Sequence, residues 1–145
     1  MRVHSPDLLH AIVCAALLLG AGCVTPVSED DVESRLSEAA RPFARLGPQR
    51  VIPIYAETSL IAMALVTEAR NDPESSVSVR LGRRLALAAK RHYHVVVVGG
   101  PYPDLSDRLL LNALNLNADG ELRGLTVVLV SDQEPSAALA EAARV

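Results

Sequence analysis

The sequence predicts an α/β fold: a small open parallel sheet of three to four strands flanked by helices, preceded by a signal peptide and an N-terminal helix. Three observations carry that prediction. Val95-Val96-Val97-Val98, closed by Gly99-Gly100, and Leu125-Thr126-Val127-Val128-Leu129-Val130 are continuous β-rich runs, the pattern of strands buried on both faces. Segments of helical period separate the strands, and such alternation builds a parallel sheet covered by helices. Finally, 50% of the 145 residues are hydrophobic but only 3% aromatic (Phe43, Tyr55, Tyr93, Tyr102), so one aliphatic core is expected, within a single modest domain.

Each element has its own signal. Ser28-Glu29-Asp30-Asp31 starts a helix, with Ser28 as cap and three acids on the positive end of the dipole. Val32, Leu36, Ala39, Ala40 and Phe43 recur at helical spacing, and Pro42 should end or kink the helix. A loop with Gly47 and Pro48 leads to a strand over Val51–Tyr55, where Pro53 predicts an edge position. Glu57-Thr58-Ser59 offers caps for a helix over Leu60–Arg70, whose nearly continuous apolar character predicts deep burial. Asn71-Asp72-Pro73-Glu74 stops it. Residues 76–80 alternate like a strand, yet Val77, Leu81, Leu85, Ala88 and Ala89 share a helix face. We expect a helix over at least Leu81–Arg91, with room for a short strand before it.

After the Val95–Val98 strand, Pro101-Tyr102-Pro103 forms a stiff loop, and Asp104 or Ser106 caps a Leu-rich helix reaching about Leu116. Asp119-Gly120 is a turn dipeptide. The last strand is followed by Ser131-Asp132 and a helix from Pro135. That helix carries no stop signal, which fits either a natural end or continuation in a longer chain. The expected organisation is residues 1–22 as signal peptide, 23–27 as tether, 28–46 as N-terminal helix and 50–145 as one α/β domain.

The first residues have the layout of a secretory signal peptide. A short polar start with Arg2 precedes the apolar run Leu8–Leu19, and Gly20-Ala21-Gly22-Cys23 follows. The run is shorter than the ~20 residues a membrane-spanning helix needs. Leu19-Gly20-Ala21-Gly22-Cys23 resembles the lipobox of bacterial lipoproteins. That class prefers Leu three places before the cysteine; here Gly20 stands there and Leu19 one place further back. The resemblance implies a diacylglycerol on the Cys23 sulfur, cleavage before Cys23 and acylation of the new amino group. By the same resemblance, Val24 in place of Asp implies the outer membrane, with the domain facing the periplasm. Cys14 would leave with the leader, so no disulfide is expected.

Composition narrows function further. Net charge is −3, so no basic field attracts nucleic acid, and four scattered aromatics make no stacking platform. In an open parallel sheet, ligands bind beyond the carboxyl ends of the strands. The loops expected there carry Glu57-Thr58-Ser59, Gly99 to Asp104, and Ser131-Asp132. The middle one is the best ligand candidate, with Gly99, Gly100, Tyr102, Asp104 and Ser106 as its residues. Turn formation and helix capping explain the same residues without a ligand. The loop has neither a Walker lysine nor a G-x-G-x-x-G fingerprint. His92 and His94 would share a strand face, but no third metal ligand is evident. Arg80, Arg83, Arg84, Lys90 and Arg91 form a basic stripe suited to solvent, to anionic headgroups or to an acidic partner. No nucleophile elbow or H-E-x-x-H motif is present. The expectation is a membrane-anchored envelope lipoprotein, non-catalytic, binding or scaffolding another envelope protein, with no cofactor. A periplasmic small-ligand binder using the Gly99–Asp104 loop is the first alternative. An envelope hydrolase using Asp104, Ser106 or His94 is the second.

Overall fold

The computed structural model describes residues 12–15 and 27–143. Cys23 and the lipobox therefore lie outside the described residues. The elements are β1 (Ile12–Ala15), α1 (Glu29–Ala40), a 3-10 turn (Arg41–Leu46), β2 (Gln49–Pro53), α2 (Ser59–Asn71), α3 (Ser76–Lys90), β3 (Val95–Gly99), α4 (Pro103–Leu116), β4 (Thr126–Val130) and α5 (Ala137–Ala142). All four strands are parallel, in the order β1-β4-β3-β2. The chain is thus a small open α/β sheet flanked by helices.

The central strands read as the sequence predicts. Every residue of β3 is buried, and its side chains alternate between two cores. Val96 and Val98 join Val127, Leu129 and Ile52 under α3 and α4. Val95 and Val97 join Val128 under α1, with Val32, Leu36 and Ala40. Travel from β2 through β3 to β4 places α2, α3 and α4 on one side. The return from β1 to β2 places α1 on the other, as a single handedness of crossover requires. The N-terminal helix is therefore one of the two layers that bury the sheet.

Local chemistry sets the boundaries. Ser28 and Asp31 form a reciprocal capping box at the start of α1. Hydrogen bonds from the Ser28 hydroxyl and backbone hold the Asp31 carboxyl below its ordinary value. The α-helix stops at Ala40, and Pro42 sits in the 3-10 turn that follows. β2 runs two residues earlier than the predicted Val51–Tyr55, from Gln49 paired with Val95 to Pro53 paired with Gly99. It lies at a sheet edge, where Pro53 leaves no ladder donor missing.

Two expectations need correction, and one strand was not foreseen. Residues 76–80 are helical, as the first turn and a half of α3. Ser78 is fully buried there, and its hydroxyl bonds Asn112 of α4. A partner one helix away decides what the local alternation left open. Second, α2 is not deeply buried. Only Ala62, Val66 and Ala69 are buried along it, while Leu60 is 75% and Met63 66% exposed. The helix packs chiefly on α4 and not on the sheet. Ile12–Ala15, which the sequence places within the leader, pairs as a parallel strand with Val127–Val130 of β4. A short apolar run with Ile and Val suits a buried parallel strand as well as a leader core, because both are apolar without polar alternation.

Candidate functional site

The carboxyl edge of the sheet gathers the loops after β2, β3 and β4, together with the start of α1. Gly99 and Gly100 are there because backbone passes backbone. A Cβ on Gly99 would stand 2.5 Å from the Val130 carbonyl oxygen, and one on Gly100 would fall inside the Ile54 carbonyl oxygen. The Ile54 amide donates to the Gly99 carbonyl at 2.8 Å, which extends the β2–β3 pairing past Pro53. Both glycines thus serve close packing of the two strand exits.

The other residues of that loop diverge. Tyr102 precedes α4 without a side-chain cap, half-buried against the main core. Asp104 is exposed in the first turn of α4, where its charge favours the helix dipole and opposes an anion. Ser106 is fully buried, and its hydroxyl has no hydrogen-bond partner. Asp107 accepts from the Ser136 amide and hydroxyl, both at 2.7 Å, and so fastens the start of α5 to α4. Asp104 and Asp107 therefore form no facing carboxylate pair.

Two cavities open near this edge. One, of about 60 Å³, lies between α1 and the ends of β3 and β4. Val27, Leu36, Gly100 and Val130 line it, with Arg35, Ser131 and Asp132 as its polar residues. That is room for a few waters, well below the ~300 Å³ of an ordinary small-molecule site. The other, of about 210 Å³, lies along the open side of β2. Its floor is Ile52, Leu81, Leu105 and Leu109, and its polar rim is Glu29, Arg80 and Arg84. Burial holds the Arg84 guanidinium below its ordinary value, with repulsion from Arg50 adding to it, while Glu29 and Glu33 act in the opposite sense.

The basic stripe is divided by the helix period. Arg80 and Arg84, four apart, face this β2 cavity. Arg83 and Lys90 instead border a groove between α3 and the end of α4, with Leu87 and Leu116. Arg50, on the same face of β2 as Ile52, sits 5.9 Å from the Tyr93 ring centroid.

The histidines lie at the opposite end of β3. His92 has a φ of 59°, in the turn after α3. The His94 ring bonds the Leu46 carbonyl through Nδ1 at 2.9 Å and packs on Gly47. It therefore holds the 3-10 turn against β3. No group of three or more His, Cys, Asp or Glu able to hold a metal occurs among the described residues. Five residues of strand, roughly 15 Å, separate His94 from the edge that carries Asp104. Asp104, Ser106 and His94 are not brought together.

Sequence reading missed two features of this region. The arginine pair over the β2 cavity was legible only as part of a uniform polar face. The exposed apolar start of α2 was hidden because a helix apolar on all sides does not reveal which side faces out. No protein-family model matches the sequence, and neither curated proteins nor solved structures give a significant match to the chain.

Proposed function

We propose that this chain is a lipid-anchored domain of a bacterial cell envelope, cut before Cys23 and tethered by acyl chains on it, and that it binds or scaffolds another envelope component without catalysis. The observation that carries the reading is Leu19-Gly20-Ala21-Gly22-Cys23 directly after an apolar run. The part of the chain that would remain after the cut begins in the right place for such a tether. Its first helix is capped at Ser28, five residues after Cys23, by a box that needs nothing upstream. No helix among the described residues is long and apolar enough to cross a membrane. Two or three chains at ~0.8 kcal/mol per buried methylene hold far more firmly than one. The separation of Asp104, Ser106 and His94 supports a binding role over a hydrolytic one.

The intact mass of the membrane-extracted protein tests the anchor. The expected species starts at Cys23 and carries a diacylglycerol and an amide-linked acyl chain. Cys23→Ser should then yield an uncut or soluble product. Recovery of that variant with membranes at the processed size would overturn the reading. Co-purification of a partner in mild detergent tests the binding role, and recovery of the protein alone under every such condition counts against it.

A further inference from the structure

We propose that the cavity on the open side of β2 binds a small aliphatic α-amino acid. Arg80, Arg84 and the Tyr55 amide take its carboxylate, Glu29 and the Pro53 carbonyl its ammonium, and Leu65 and Val77 its side chain. The inference goes beyond the anchor and the binding role above and needs neither, because every group it uses lies between residues 29 and 109. The cavity holds about 210 Å³, room for roughly seven waters. That is the scale of one amino acid.

The side chains supply opposite charges that do not meet. Val77, Arg80 and Arg84 share one face of α3 by their helical spacing, and all three line the cavity. Glu29, at the start of α1, lines it too. Its carboxylate favours the charged form of Arg84, yet neither guanidinium has an ion-pair or hydrogen-bond partner among the described residues. Arg84 is half-buried, and that burial holds it below its ordinary value. A half-buried cation without a partner carries a desolvation cost that an incoming carboxylate offsets, and two guanidiniums can hold both carboxylate oxygens. A simple anion would meet repulsion from Glu29. A zwitterion turns the same residue into a contact.

The backbone of β2 adds a donor and an acceptor. The Ile54 amide donates to the Gly99 carbonyl at 2.8 Å, and the Ile54 carbonyl lies against Gly100. Within one trans peptide the C=O and N–H point in opposite directions. The Pro53 carbonyl and the Tyr55 amide therefore turn away from β3, to the open side, and both residues line the cavity. Neither group has a hydrogen-bond partner among the described residues. Pro53 has no amide to donate, so a whole strand cannot be laddered along this edge. One donor and one acceptor beside the charged rim fit a single amino acid instead. Leu65 and Val77, both half-buried, give its apolar side chain a wall to pack on.

Titration calorimetry and thermal melting of the full-length protein test the site, with L-leucine as the probe. Leucine should bind at millimolar concentration or below and raise the melting temperature accordingly. 4-Methylpentanoate, which lacks the ammonium, and leucinamide, which lacks the carboxylate, should each bind ~tenfold more weakly or worse. Arg84→Gln should weaken leucine ~tenfold, and Arg80→Gln and Glu29→Gln several-fold. Arg80 and Glu29 are exposed, so those two variants should melt as the unaltered protein does, which separates lost binding from lost folding. Leucine should bind Cys23→Ser as it binds the unaltered protein, so the site stands or falls apart from the anchor. Absence of heat and of a melting shift with millimolar leucine overturns the site. Equal affinity for 4-methylpentanoate overturns the zwitterion assignment. Unchanged leucine affinity in both Arg80→Gln and Glu29→Gln places the binding elsewhere and equally overturns it.

Discussion

Asn112 is the side chain on which the packing of three helices depends, and Asn112→Ala tests that directly. It is 3% exposed in the middle of α4. Its Nδ2 donates to the Ala69 carbonyl of α2 at 2.8 Å and to the Ser78 hydroxyl of α3 at 3.0 Å. Ser78 in turn shares a 2.9 Å hydrogen bond with Ser75. The Ala69 carbonyl is in the last turn of α2, where helical carbonyls lack an intrahelical donor. Removing the amide forfeits two hydrogen bonds at ~1 kcal/mol each and leaves a buried carbonyl unpaired, at ~1 kcal/mol or more. The expected loss is ~3 kcal/mol, a large part of the 5–15 kcal/mol typical of a domain. Urea denaturation reads it as a lower midpoint at unchanged slope. Asn112→Leu fills the space but restores no donor, so it should recover little of the loss. The cycle with Ser78→Ala should show a coupling of ~1 kcal/mol. A loss under ~0.5 kcal/mol, or full recovery by Asn112→Leu, would refute the network and make the site one of simple packing.

Gly100→Ala should cost ~3 kcal/mol or abolish folding, because two backbones must separate to admit the methyl group; thermal melting checks it. Ser106→Ala should raise stability by ~1 kcal/mol, since the hydroxyl it removes is buried without a partner; an unchanged or lower urea midpoint would contradict that. Asp31 gives a pH dependence. Its folded pKa lies below the ordinary 3.8 because the Ser28 hydroxyl and amide favour the carboxylate. Its contribution is therefore present above the unfolded-state value and fades as pH falls through the folded one. Asp31→Asn should flatten the acid limb of the stability profile below about pH 4, and an unaltered limb would exclude this role for the capping box.

Much of the fold was legible because local and tertiary signals agreed. The Val95–Val98 run forms a fully buried central strand, Ser28 caps the first helix, and Pro53 sits on an edge. Failures came where the deciding partner is distant. Ser78 is helical because Asn112, 34 residues away, meets its hydroxyl. The outward stripe of α2 follows from which helix it packs on, and Leu60-Ile61-Ala62-Met63 carries no polar residue to mark the side. The strand-end glycines were read for both a turn and a ligand, and the Ile54 carbonyl accounts for Gly100 without one. The arginines illustrate the converse. Their spacing was visible, but a cavity exists only once α3 is laid beside β2.

The first strand and the proposed cleavage are linked by one consequence. Ile12–Ala15 covers the outer side of β4, and processing before Cys23 would remove it. The two edges of the remaining sheet would then differ. β2 carries Pro53 and Arg50, residues that blunt an edge against further pairing. β4 carries Val127, Val128 and Leu129, all buried and none charged, and has no such guard. A bare apolar edge accepts an added strand, and the register of Ile12 with Val127 through Ala15 with Val130 shows that a parallel one fits. If the chain is cut before Cys23 as proposed, the bare β4 edge is open to strand addition. Hydrogen exchange tests the link. Amides of β4 that face β1 should be protected in a cleavage-blocked precursor and should exchange faster in the mature protein without a partner. Equal protection in both forms would show that β4 does not depend on the leader strand, and the edge would lose its claim as the binding surface.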